Sequence, residues 1–206
     1  MYWQKRKLEY DISILPILKS FEEFNSIEAE MYFKWFTGQL KDRIIYLQKF
    51  SNVSLDYSEN SLIDIWNWFL KNAKIEVTPR SKMNDEKNRL KGYSKEIAEA
   101  VLAEQSKQFS LETEYIMRDI AMYLGEVFVK NNPSISWGYH MNVKVNSFAN
   151  MPLLVGFEDR NFDPPFEANM EPIHMVHVQA CNIFDNSQNE KDLKNLYEIW
   201  QRMIFN

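Results

Sequence analysis

Over residues 135–146 apolar and polar positions alternate without a break: Ile135, Trp137, Tyr139, Met141, Val143 and Val145 against Ser136, Gly138, His140, Asn142, Lys144 and Asn146. A period of two is the signature of a strand with one dry and one wet face. It predicts Trp137 in the core and His140 on the outside. After a connection at 147–151, residues 153–157 read as a second, more buried strand, so a small antiparallel sheet is expected around 135–157.

The rest of the chain carries mostly helical spacing. Asn25 and Ser26 before Ile27, Glu28, Ala29 and Glu30 form a helix start, with a capping side chain and acids in the first turn. Apolar positions then run from Tyr32 to Phe50, and Gly38 leaves one long helix and a broken pair equally open. Ser61 opens a segment whose Leu62, Ile63, Ile65, Trp66, Trp68, Phe69 and Leu70 are apolar on all sides, which places it centrally in the core. Residues 74–79 suit a short extended exit, and 80–95 form the one locally basic stretch, read as a solvated loop or helix face. Helical character is expected over 94–108. The clearest helix starts at Ser110, where Glu112 and Glu114 complement the positive end and Ile116, Ile120, Leu124 and Val127 mark the buried stripe. Asn131, Asn132 and Pro133 stop it. Residues 158–171, with Asp159, Asn161 and Asp163-Pro164-Pro165, have the composition of surface turns. Pro172 then suits the first turn of a helix over 172–184, with a strand over 173–178 as the competing reading. A last helix is expected over 190–205.

These elements predict an α+β fold, mainly helical, arranged as one compact domain: a helical portion over 1–131, then the sheet and closing helices over 132–206. With 206 residues, 45% of them apolar, the chain can bury a sizeable core. No apolar run approaches the ~20 residues needed to cross a bilayer, and the single Cys181 has no partner for an internal disulfide. Both point to the cytoplasm. Residues 1–150 balance their charges, so the whole net charge of −5 lies in 151–206. That excess disfavours a nucleic-acid backbone and suits a basic protein partner, with Asp159, Asp163 and Glu167 as the expected contact residues.

Candidate chemistry gathers late in the chain, since all three histidines and the cysteine follow residue 139. On a helix over 172–184, His174, His177 and Cys181 fall at i, i+3 and i+7. With His140 or an acid as a fourth ligand, they could hold a divalent metal such as zinc and support hydrolysis or small-molecule binding. On a strand, His174 and His177 would point to opposite faces. No paired CxxC or HExxH supports the metal reading, and the expected cofactor is none. The five glycines are too scattered for a phosphate-cradling loop, and no GxSxG elbow occurs. Gly125 inside the clearest helix implies close packing by a neighbour at that turn. Glu126 beside it is expected to cap or pair within the domain.

Several of these positions carry a resemblance. Ser61-Leu62 before Trp66 and Trp68, Tyr123-Leu124-Gly125-Glu126, Trp137, Pro152-Leu153-Leu154-Val155-Gly156-Phe157, Pro172, and Leu193 with Tyr197 and Trp200 give the chain a pattern similar to a group of uncharacterised bacterial cytoplasmic proteins. Some of those are associated with polymorphic-toxin immunity. The resemblance implies a non-enzymatic, immunity-like protein-binding domain and supplies no site residue.

Overall fold

Five local signals start the helices of the structure, a computed structural model that describes residues 10–141 and 148–204. Asn25 caps α1 (Ser26–Ser51), Ser58 caps α2 (Glu59–Asn72), Ser94 caps α4 (Lys95–Glu104), Ser110 caps α5 (Leu111–Asn131) and Glu171 caps α6 (Pro172–Cys181), each accepting from backbone N–H groups of the first turn. At Asn25 the cap is reciprocal, because Glu28 accepts in turn from the Asn25 N–H at 2.8 Å. Helix α3 (Arg80–Arg89) and helix α7 (Asp192–Gln201) complete the set. Gly38 lies inside an unbroken α1, so the long-helix alternative holds.

Among the described residues, five strands make two antiparallel sheets. In the first, β1 (Ile75–Val77) pairs with β2 (Lys107–Phe109), and the ribbon carries α3 and α4 as an arm between its two strands. Neither helix of the arm buries a residue, which for α3 follows from its charged composition. The second sheet has the order β3-β4-β5, formed by Ser136–Gly138, Leu153–Asp159 and Phe166–Met170.

This arrangement corrects three expectations. The alternating segment 135–146 yields only the three residues of β3; residues 139–141 have left the ladder, and 142–146 lie outside the described residues. Alternation made every second residue apolar, but β4 offers pairing only over 153–155, opposite 136–138. Residues 107 and 108, expected at the end of a helix over 94–108, instead form β2 with Phe109, which pairs with Ile75 and is buried in the core. Residues 158–171 are not all turn: β4 runs to Asp159 and β5 occupies 166–170, since Ala168 and Met170 complete the face that Phe157 and Leu154 present to the core.

The centre is α5. Residues 116–125 are buried without interruption, so the expected single stripe is instead a helix enclosed on all sides. It packs against α1, α2, α6, β2 and β3. One core cluster extends from Tyr10 to Ile204, with Trp66, Phe69, Tyr123, Phe128 and Phe157 among its largest buried members. A smaller one joins Phe24, Ala29, Tyr32, Phe36 and Leu40 of the N-terminal region to Met122.

Two glycines permit the sheet to dock. A Cβ on Gly125 would stand 2.1 Å from Trp137 Cζ2, so the indole of β3 lies directly on the α5 backbone, the close packing that the sequence implied. Glu126 accepts from Trp137 Nε1 at 2.9 Å, and Phe36 closes the other side of the ring with centroids 5.2 Å apart. Gly156, with φ of 105°, supplies the left-handed backbone at a β4 irregularity between Leu154 and Phe157.

A methyl group at this position fits only if the indole shifts off the α5 backbone, which disturbs its hydrogen bond to Glu126 and its contact with Phe36. Gly125→Ala should therefore lower unfolding stability by about 2 kcal/mol, despite alanine's better helix propensity. Urea denaturation checks this, and Trp137→Phe in the same background should not recover the lost hydrogen bond to Glu126.

Candidate functional site

Beyond the core, the β4–β5 hairpin continues into solvent. The register pairs Phe157 with Ala168, Glu158 with Glu167 and Asp159 with Phe166. The connection is tightened by Asp159 Oδ1, which accepts from both the backbone N and Nδ2 of Asn161 at 2.9 Å. At this end Phe162 is 57% and Phe166 47% exposed, and their rings meet edge to face with centroids 4.9 Å apart. Asp163 and Glu167 are exposed and Asp159 is half-buried. The structure thus brings all three expected contact acids onto one hairpin, around an aromatic pair that sequence reading passed over.

The hairpin also sets like charges against each other. Glu158 and Glu167 are directly opposite in the ladder and share a face. Such a pair is unfavourable by a few tenths of a kcal/mol, up to ~1 kcal/mol. Arg160 Nε donates to Glu158 Oε2 at 3.1 Å and offsets part of this.

Helix α6 carries the second candidate group. The segment is helical over 172–181, with Pro172 in the first turn. His177 Nδ1 and Cys181 Sγ stand 3.6 Å apart, and His177 Nε2 is 3.8 Å from Glu114 Oε1 of α5. His174 is exposed and its ring lies 5.5 Å from that of Phe148. His140, expected on the outside, is half-buried, with Nε2 enclosed and without a hydrogen-bond partner, because the chain leaves the ladder after Gly138. Among the described residues no three His, Cys, Asp or Glu side chains gather closely enough to hold a metal ion. The four expected ligands are therefore divided, with only His177 and Cys181 in mutual contact.

Cys181 opens onto a cleft of about 790 Å³ between the α3–α4 arm, β2 and the end of α6, lined also by Met83, Phe184, Glu104 and Asp185. Burial pushes the Cys181 thiol up, and Glu114, Asp185 and Glu104 add to the effect. The thiol is protonated at neutral pH and is a poor nucleophile.

The chain was compared with protein families, curated proteins and solved structures. It matches none of them. Among the described residues no helix is long and apolar enough to cross a membrane.

One polar group escaped the sequence reading altogether. Asp119, fully buried in α5, accepts from Arg43 Nε at 3.0 Å and Nη2 at 2.6 Å, and from the Tyr10 hydroxyl at 2.5 Å. Burial pushes the Asp119 carboxyl up, while Arg43, Tyr10 and Arg118 pull it back. The Tyr10 hydroxyl is pushed well above its ordinary value, by burial first and by Asp119 next, and stays a donor. Around this group residues 10–20 form a strap without helix or strand. Tyr10 N donates to Glu112 Oε1 at 2.8 Å, Arg43 Nη2 to Asp11 O at 2.8 Å, and Arg118 Nη2 to Ser13 Oγ at 2.5 Å. In sequence, Arg118-Asp119 reads as an ordinary polar pair on the wet face of a helix. The one available signal was that Tyr115 and Met122, at i±3 and i±4, make the face shared by Arg118 and Asp119 apolar around them.

Glu171, expected among surface turns, is 1% exposed, and burial pushes its carboxyl up to about 7 against the pull of the His174 and Ile173 N–H groups. The folded state therefore binds an extra proton between the ordinary value of 4.5 and about 7. This contribution to stability is complete below pH 4.5 and is lost as pH rises through 7. Glu171→Gln keeps an acceptor at the cap and removes the titration. Its stability relative to wild type should rise by roughly 1 to 3 kcal/mol from pH 4.5 to pH 8. Chemical denaturation across that range measures the difference.

Proposed function

We propose that this chain is a non-enzymatic protein-binding domain that engages a basic partner through the β4–β5 hairpin. The observation that carries the reading is the exposed Phe162–Phe166 pair, held on a hydrogen-bonded hairpin and flanked by Asp159, Asp163 and Glu167. Exposed aromatics on a rigid element anchor interfaces because they lose little side-chain freedom on binding. Acids around them steer a cationic surface into register. The opposed Glu158 and Glu167 support the same polarity, since a Lys or Arg placed between them relieves a repulsion that the free protein retains. A toxin-neutralising, immunity-like role in the cytoplasm is the biological form of this reading.

A second reading, small-molecule binding with or without a metal such as zinc, is favoured by the cleft that Cys181 opens onto and by the His177–Cys181 contact at its edge. It predicts a ligand whose affinity changes with His177→Ala and not with changes to the hairpin.

The decisive comparison uses a partner captured from the native host on the tagged chain. Replacing Asp159, Asp163 and Glu167 together with Lys should abolish the salt-sensitive capture, and Phe162→Ala or Phe166→Ala should weaken binding by about 10-fold or more. Unchanged binding of the triple variant would remove this surface from consideration.

A further inference from the structure

Arg118 is 7% exposed, yet its guanidinium is only half used. Nη2 donates to Ser13 Oγ at 2.5 Å, whereas Nε is buried and has no hydrogen-bond partner. In an arginine, Nε and the outer Nη form one edge, a fork spaced for two oxygens of a single carboxylate or phosphate. Arg43 shows that edge fully occupied, its Nε and Nη2 both donating to Asp119. At Arg118 a hydroxyl fills one tooth and leaves the other empty among aromatic rings, with Tyr115 at 4.5 Å and Trp35 at 5.9 Å from the guanidinium carbon.

The charges nearby leave room for an anion. Asp119 stands 3.8 Å from Arg118 Nη2, but its oxygens are engaged by Arg43 and Tyr10. Arg43 adds a second guanidinium that acts on Arg118, and the hydroxyls facing it are those of Tyr115 and Tyr32. The Asp11 carboxylate is exposed and 3.9 Å from Arg43 Nη1. Two buried guanidiniums therefore share one buried carboxylate beneath the strap.

We propose that Ser13 is a phosphorylation site and that the Nε–Nη2 edge of Arg118 is the receptor for its phosphoryl group. Ser13 is half-buried in the strap, between exposed Asp11 and exposed Ile14, in backbone free of helix or strand that an external kinase can take only when the contacts of residues 10–13 with α1 and α5 open. The donor is a nucleoside triphosphate. Its bond between the γ-phosphorus and the β,γ-bridging oxygen breaks, and a bond forms from that phosphorus to Ser13 Oγ. The hydroxyl proton passes to the kinase's base, and the nucleoside diphosphate leaves. The product carries nearly two negative charges and three acceptor oxygens. One oxygen takes the N–H of Nε and another takes Nη2, and Arg43, which acts electrostatically on Arg118, adds positive charge to the site. Phosphorylation thereby locks the strap onto α5.

The test uses the full chain with phosphoserine encoded at position 13. Its phosphorus resonance, followed against pH, should titrate about one unit or more below the ordinary second ionisation near pH 6. Amide exchange at 11–15 should slow at least several-fold relative to the unmodified chain. Arg118→Gln should return the titration to its ordinary value. Arg118→Lys, which keeps the charge and loses the fork, should fall between, and it serves if the glutamine variant does not fold. An ordinary titration with Arg118 intact, or faster exchange along the strap, overturns the proposal. A final arm adds inorganic phosphate to the unmodified chain: protection equal to that of the phosphorylated chain would make this a free-oxyanion site and overturn the assignment to Ser13.

Discussion

The bidentate contact between Arg43 of α1 and Asp119 of α5 is the constraint around which the helices are arranged. A carboxylate enclosed this far within a helix is tolerated only when its oxygens are occupied. Removing one partner of such a buried pair costs about 3–5 kcal/mol, because the other charge is left without compensation. Apolar packing alone would allow α1 to slide or rotate on α5. The planar guanidinium meets the carboxylate in one geometry and so sets the register of the two longest helices. Tyr10 supplies the third donor, which recruits residues 10–20 into the same network and makes the strap part of the fold.

From that fixed helix the rest of the structure is positioned by contact. Gly125 lets Trp137 lie on the α5 backbone, and Trp137 brings β3 with it. Strand β4 pairs with β3 and β5 with β4, so the exposed end of the hairpin is held at the far side of a continuous chain of packing. Glu158 N also donates to Met203 O at 2.7 Å, and Phe157 bridges to Ile204, which ties the hairpin base to the end of the described chain. A loop bearing the same residues would pay ordering entropy on binding; a hairpin supported in this way has already lost that freedom.

Charge is handled differently in the two exposed regions. On the hairpin, acids surround aromatic rings and even oppose one another across the ladder, an arrangement that favours an incoming cation. At the cleft, Lys82, Arg89 and Lys107 stand among Asp85, Glu86, Glu104 and Asp185. Arg89 is already held by Glu86 and Lys82 by Gln108. Burial, and after it the carboxylates of Glu114, Asp185 and Glu104, push the Cys181 thiol up, which separates this cysteine from the low-pKa setting that nucleophilic catalysis requires.

Local signals determined the helix starts. Asn25, Ser94 and Ser110 cap where side-chain oxygens meet free N–H groups, Pro172 sits where its missing N–H is harmless, and a glycine inside α5 marked a close neighbour, whereas α2 starts at a Ser58 cap and not at Ser61 as expected. The mainly helical α+β class follows from the same periodicities. The i, i+3, i+7 placement of His174, His177 and Cys181 was also legible, because it depends on position along one element, whereas the acids at 159, 163 and 167 were legible as residues but not as members of two paired strands and their connection. Strand extent was not, since alternation over 135–146 says which face would be dry but not whether a neighbour exists to pair with it. Nor was the burial of Arg43, Arg118, Asp119 and Glu171, because a charged side chain reads as surface until the partners that compensate it are brought together. Those partners lie 76 residues apart for Arg43 and Asp119 and 109 for Tyr10 and Asp119. Only the tertiary structure closes such distances, and hydrogen-bond compensation in a water-poor interior is the physical reason these charges could be buried at all.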